Sequence, residues 1–248
     1  MLKADLHTHI NLDPIDEIEY SYQDLINKAA ELHYDVLAIT CHDKVVVTTA
    51  MKEYARTHNI LLISGAELTI EGNHVLVYNI TEKDRASINT LEDLQKLKDK
   101  NNKNKDILII APHPFHYKSF CLKDKIVHHL NLFDAWEYSF FYHRFWDPNN
   151  KTLKLATKYS KPLIANGDVH DLCYFGRNYT SIDSIKEEKK VIEAIKQGKT
   201  KVVTHPLSTF DFFALSFWVV TYPVRKLKKY LKSKNIFKVC PIINLPKK

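Results

Sequence analysis

Five short runs, DLHTHI at 5–10, ITCHD at 39–43, GAEL at 65–68, APHP at 111–114 and NGDVHD at 166–171, each end an apolar stretch with His, Asp or Glu. An apolar strand in a core has no reason to terminate repeatedly in imidazoles and carboxylates, because each must be desolvated or paired there. Divalent cations supply the missing partner. The recurrence points to a metal centre assembled at one rim of a barrel, where successive strands each deliver ligands.

The intervening pattern fits that geometry. Strands are expected at Leu2–His7, Tyr34–Thr40, Ile60–Gly65, Ile107–Ala111, Phe133–Glu137, Leu163–Asn166 and Lys201–Thr204, with His74–Ile80 as an extra strand or hairpin arm. Helices are expected at Tyr22–His33, Thr48–His58, Leu91–Lys100, Thr152–Tyr159 and Lys189–Gln197. Strand and helix alternate, which implies an α/β fold of parallel strands with right-handed crossovers. A length of 248 residues suits one such barrel. It is expected to span 1–206, leaving 207–248 as an apolar and then basic extension.

Composition narrows the function classes less sharply. A net charge of +7 and a pI near 9.0 favour anionic partners. Much of the excess lies in the last quarter and in the lysine-rich run at 96–105, so it forms no global nucleic-acid stripe. Cys41, Cys121, Cys173 and Cys240 show no CxxC spacing, and MLKADLHT carries no export signal, so a cytoplasmic protein is expected. There is no GxGxxG or P-loop to cradle a nucleotide cofactor. Phe210–Tyr222 is nearly all apolar but too short to span a bilayer, and RKLKKYLKSK follows it. Residues 210–234 are therefore read as packing on the barrel or making peripheral contact with an anionic membrane.

His7 and His9 stand two apart and point to one side of an extended strand end, where two imidazoles chelate one cation. Asp168 and His170 repeat that spacing late in the chain, and barrel closure would bring the first and last strands together. DLHTH with Asp13, CHD at 41–43, GAE with a later His74, HPF at 113–115 and GDVHD at 167–171 resemble the successive motifs of the PHP (polymerase and histidinol phosphatase) phosphoesterases. The resemblance runs in order from residue 2 to about 204.

That resemblance implies a distorted (β/α)7 TIM-like barrel holding up to three Zn, Mn or Fe ions. By position, His7, His9, Glu67 and Asp168 would hold one metal, which shares Glu67 with a second completed by His74 and His113. Asp13, His42 and His170 would hold the third, and His42, Asp168 and His170 are the expected catalytic positions. The implied chemistry is attack of a metal-bridging hydroxide on phosphorus. Two departures stand out, Cys41 where the family more often has Asp and Pro14 where it more often has Gly.

Arg177 and Lys44 are the candidate phosphate contacts. Tyr142, His143, Arg144 and Trp146 are candidates for a pocket wall that stacks a base or sugar. The leading expectation is hydrolysis of a small phosphomonoester or nucleotide. Alternatives are an exonuclease acting on single-stranded nucleic-acid ends, a C–N hydrolase, and a non-catalytic metal-binding or membrane-associated module.

Overall fold

The apolar runs pair into one nine-stranded sheet in the order β7-β6-β5-β4-β3-β2-β1-β8-β9. The strands are β1 (Leu2–Thr8), β2 (Val36–Ile39), β3 (Leu61–Ile70), β4 (Asn73–Tyr78), β5 (Leu108–Ala111), β6 (Ala135–Tyr138), β7 (Leu163–Ala165), β8 (Tyr179–Ile182) and β9 (Thr200–Val203). The computed structural model describes residues 1–101, 107–217, 220 and 221, and the chain divides into units 1–206 and 207–248.

In the first unit, alternation along the strands sorts side chains onto two faces. Ala4, Val36, Ala38, Ile63, Leu76, Ile110, Ala135, Ile164 and Ile182 form one buried cluster drawn from eight strands, as only a curled sheet's inner face allows. Val191, Ile192 and Ile195 of the helix Glu188–Lys196 join it. Leu37 and Ile39 point the other way, onto Leu25, Ile26, Met51 and Ala55 of the helices Tyr22–Glu31 and Thr49–Thr57. Ser21 and Thr48 cap those helices by accepting from Asp24 N and Met51 N.

The sheet departs from all-parallel in two places. β3 runs on to Ile70 and turns through Glu71 (φ 50°) and Gly72 (φ 76°) into β4, which lies antiparallel to both β3 and β5. Two successive positive φ angles make the tight hairpin turn whose twist suits antiparallel strands. β8, absent from the sequence expectations, runs antiparallel to β1, and β9 antiparallel to β8.

Closure differs at the two ends. At the ligand end Val169 bridges Thr8 directly, with His9 N donating to Val169 O at 3.2 Å and Val169 N to His7 O at 3.3 Å. At the other end β8 and β9 fill the gap to β7. Thr180 Oγ1 there donates to Ala165 O at 2.8 Å, and Thr200 Oγ1 to Leu163 O at 2.8 Å. The expected distorted α/β barrel is therefore present, with its distortion at this wedge.

In the second unit, a helix covers 209–217 and resumes at 220–221. Ser208 Oγ accepts from Asp211 N at 3.1 Å, which caps its start. Phe210, Phe213, Phe217 and Val220 are exposed at helical spacing, so they form one apolar stripe. The basic run at 225–234 and Cys240 lie outside the described residues. No helix among the described residues is long and apolar enough to cross a membrane.

Candidate metal centre

The ligand motifs converge at the C-terminal ends of the parallel strands, the face where (β/α) barrels carry their sites. His7 and His9 come from the end of β1, His42 from just beyond β2, Glu67 from β3 and His74 from β4. His113 follows β5, and Asp168 and His170 follow β7. Glu67 is the hub. Its Oε2 lies 3.1 Å from His7 Nε2, 3.4 Å from His9 Nε2 and 3.3 Å from His42 Nε2. Its Oε1 lies 2.7 Å from His74 Nδ1 and 3.3 Å from His113 Nε2. Asp168 Oδ1 stands 3.4 Å from His7 Nε2 and 3.6 Å from His9 Nε2.

The electrostatics of this cluster are extreme. Burial works against charge on His7, but the carboxylates of Asp168, Glu67 and Glu137 outweigh it and raise the imidazole to about 10. His9 and His113 are raised in the same way, each despite burial. Burial opposes ionisation of Glu67 and Asp168 too, yet the surrounding imidazoles hold both carboxyls well below the usual range.

A carboxylate has about four lone-pair sites, and five imidazole nitrogens crowd around Glu67. His9 Nε2 is buried without a hydrogen-bond partner. An over-subscribed acid beside an orphaned imidazole nitrogen is the arrangement that cations complete. Among the described residues, three donor groups have ligand atoms within 4.8 Å of one another: His7, His9, Glu67 and Asp168; His42, Glu67 and His74; His9, His42 and His170. The first brings together the four side chains expected around one ion. His113 joins the second through its contact with Glu67 Oε1.

In the third group, Asp13 stands behind the imidazoles. Its Oδ2 accepts from His9 Nδ1 at 2.9 Å, His42 Nδ1 at 3.0 Å and His42 N at 2.8 Å, while Oδ1 accepts from Ile15 N and Asp16 N. Those donors hold its carboxyl far below the ordinary value although burial opposes ionisation. Asp16, which the motif reading passed over, takes the outer place: its Oδ2 lies 3.0 Å from His170 Nε2. Asp13 also answers the departure at Cys41. His42 Nδ1 finds its partner there, and Cys41 is buried as a neutral thiol raised to about 11 by burial.

Two of the supporting residues, Glu137 and Cys121, lie outside every motif. Glu137 on β6 accepts from His7 Nδ1 at 3.0 Å, Asn166 Nδ2 at 2.8 Å and His113 N at 2.9 Å. With Nδ1–H committed to Glu137, Nε2 of His7 is the nitrogen that would ligate a cation once its proton is displaced. Cys121 Sγ lies 3.3 Å from His113 Nδ1. Asp5 accepts from Gly167 N at 3.1 Å and His7 N at 3.1 Å, which ties the loop carrying Asp168 to β1. A Cβ on Gly167 would sit 2.4 Å from Val169 Cγ2 and 2.8 Å from Asp5 Oδ2, so any other residue would force those side chains to shift. His113 and Asp168 themselves hold φ of 31° and 45°, the strain expected where structure serves a site.

The remaining candidates stand elsewhere on the rim. Arg177 lies half-buried with its guanidinium 5.7 Å from the Tyr174 ring centre. Lys44 is exposed, and its charge acts on Glu82. Tyr142 and His143 are buried, and Tyr142 donates to Thr204 Oγ1 at 2.9 Å. Arg144 and Trp146 are exposed. His116 is buried and pushed down to about 3, first by burial and then by the His113 and Lys118 charges.

A family model described as PHP-associated matches residues 146–200. Comparison of the sequence with curated proteins gives no match. Among solved structures, the fold is similar to PsfC from Pseudomonas syringae, with TM-score 0.57 and 15% identity, covering 83% of this chain and 93% of that one. It is also similar to the lesion-specific endonuclease PfuEndoQ from Pyrococcus furiosus, with TM-score 0.56 and 15% identity, covering 81% of this chain and 57% of that one. The ligand motifs lie in order and gather at one rim, the PHP-associated model matches the segment 146–200, and the likeness to these solved structures is one of fold.

Proposed function

We propose that this protein is a metal-dependent phosphoesterase that hydrolyses a small phosphomonoester or a nucleotide. The observation that carries the reading is Glu67, one buried carboxylate reached by imidazoles from four other strand ends. Such a carboxylate would help hold two ions, one with His7, His9 and Asp168 and the other with His74 and His113. His9, His42 and His170, backed by Asp13 and Asp16, form the donor set for a third.

Bound divalent ions would acidify water from 15.7 to roughly 7 and neutralise phosphate oxygens. The chain's own residues do the positioning. Glu137 and Cys121 fix the outward nitrogens of His7 and His113, and Asp13 fixes those of His9 and His42. Buried apolar side chains, among them Leu6, Ile63 and Leu76, exclude water from beneath the cluster. Asp168 and His170 are less buried than His7 or His9 and stand on the open side.

The test is phosphate release from a panel of phosphomonoesters, dinucleotides and short single strands, each with Mn, Zn and Fe. Turnover of at least one monoester that disappears with chelator and returns with metal is expected. An inert panel with every metal would refute the reading. Salt separates it from the exonuclease alternative: polynucleotide cleavage weakens steeply with ionic strength as phosphate contacts are lost, and small-ester turnover changes little.

A second reading concerns the second unit alone. Its exposed stripe of Phe210, Phe213, Phe217 and Val220 supports peripheral contact with an anionic membrane, where apolar insertion and nearby cations act together. Flotation with phosphatidylserine vesicles should carry the full chain upward and leave a chain ending at 206 behind. Equal flotation would dismiss it.

A further inference from the structure

A second feature stands on the same rim as the metal donors. After β5 the chain places His116 and Tyr117, and after β6 it doubles back in a tight hairpin. In that hairpin His143 N donates to Trp146 O at 2.8 Å and Trp146 N to His143 O at 3.0 Å, leaving Arg144 and Phe145 at the tip. The rings gather around His116: its centroid lies 4.3 Å from Tyr117, 5.3 Å from Phe141 and 5.4 Å from Trp146.

Two independent observations set this group apart from ordinary packing. Phe145, Tyr117 and Trp146 are 91%, 51% and 36% exposed, and no other described Phe, Tyr or Trp of residues 1–206 is exposed. Aromatic surface gathered at one place on a barrel rim marks a contact site. Beneath it, His116 is buried and its Nε2 has no hydrogen-bond partner. Native structures seldom leave such an atom unpaired without a functional reason.

The group also borders the metal donors. His116 feels the charges of both His113 and Asp168, and its backbone N–H donates to His113 O at 3.1 Å. Lys118 Nζ lies 5.0 Å from the Tyr117 ring centre, and Arg144 is exposed at the hairpin tip. Flat apolar faces and two cations beside a phosphate-handling cluster complement a planar heterocycle carrying phosphate.

We infer that the aromatic group is a base-stacking subsite and that the substrate class is a nucleoside monophosphate. The base lies against Tyr117 and Trp146, with His116 packed beneath them, and the phosphate reaches the metal donors. This inference rests on the phosphoesterase reading for the phosphate end only. Stacking a base on an aromatic side chain contributes a sequence-tolerant part of binding, so purine and pyrimidine both fit.

The experiment compares adenosine monophosphate with ribose 5-phosphate on the Mn-loaded full chain, by calorimetric binding and by phosphate release. The nucleotide should bind at least about tenfold more tightly, the scale of one base–aromatic stack. Trp146→Ala and Tyr117→Ala should each cut that ratio severalfold, and Trp146→Phe should restore most of it. Equal affinity for the two compounds, or a ratio unmoved in both alanine variants, would overturn the inference. So would a single-stranded tetranucleotide that binds more than about tenfold tighter than the mononucleotide, which would assign the rim to nucleic-acid ends. Tight, Trp146-dependent nucleotide binding without phosphate release would support the subsite while refuting the phosphoesterase reading.

Discussion

At one end of the barrel the charges are buried and crowded; at the other they are partly exposed and paired one to one. The ligand end buries His7, His9, Glu67, Glu137 and His113 and holds His113 and Asp168 at positive φ. The opposite end uses a repeated device in which an aspartate just before a strand accepts a backbone N–H and one lysine. Asp35 takes Lys3 N at 3.0 Å and Lys186 Nζ at 2.8 Å, and Asp134 takes Ile109 N at 2.9 Å and Lys98 Nζ at 2.7 Å. The first end gathers more donors than its carboxylates can pair, a set that bound cations would complete, while the second is saturated by the chain itself. Function and fold are thus separated along the barrel axis.

Glu67→Gln should break the comparison most severely. The amide keeps the shape but removes the charge that five imidazoles share. We expect phosphate release to fall by about a thousandfold, the scale of a lost electrostatic anchor. Metal content by mass spectrometry should fall with it. A fully loaded, fully active Glu67→Gln protein would show that the hub is structural.

Glu137→Gln tests the layer behind the ligands. The charge that holds the His7 tautomer is lost while the volume is kept, and a change of this kind typically weakens metal binding by about 10- to 100-fold. Chelator competition reads the affinity directly. Glu137→Asp, which retains charge, should recover part of it. Unchanged affinity in Glu137→Gln would remove the positioning role.

Much of this end could be read before any coordinates, and the reasons are local. HxH and DxH place pairs of ligands by strand spacing alone, so His7, His9, Asp168 and His170 are visible in the motifs themselves. Glu137 was not, because AWEY reads as an ordinary buried strand and its partners lie 130, 29 and 24 residues away. Asp16 and Cys121 have the same character: nothing beside them in sequence announces His170 or His113. β8 escaped for a different reason. YTSI is four residues within a Gly-, Arg- and Asn-containing loop and gains its identity only from pairing with β1. The reversed direction of β4 was half legible: His74–Ile80 was expected as an extra strand or a hairpin arm, and the Glu71–Gly72 turn makes it the arm.

The two ends should also respond differently to pH. The folded value of His7, about 10, lies above its ordinary 6.5, so the metal-free folded state binds the extra proton between those values. Its contribution to stability is fully present below 6.5 and is lost as pH rises through about 10. Thermal denaturation of metal-stripped protein should therefore show a falling Tm from pH 7 to 10. Metal-loaded protein should fall less, since a ligand imidazole is already deprotonated. Parallel curves with and without metal would mean that His7 does not couple the site to folding.

Lys186→Met at the opposite end should do least. Burial alone would push the Asp35 carboxyl up, but the Lys186 ammonium and the Lys3 N–H hold it below its usual value. Both partners of the ion pair are partly exposed, and water and salt screen most of their attraction. Asp35 also keeps its backbone donor after the change, so no buried group is left unpaired. The expected cost is about 0.5 kcal/mol, a Tm shift of about 1–2 °C for a domain of this size. Metal content and phosphate release should stay at their starting values. A drop in metal content in Lys186→Met would show that the two ends are mechanically coupled, and the separation along the axis would then fail.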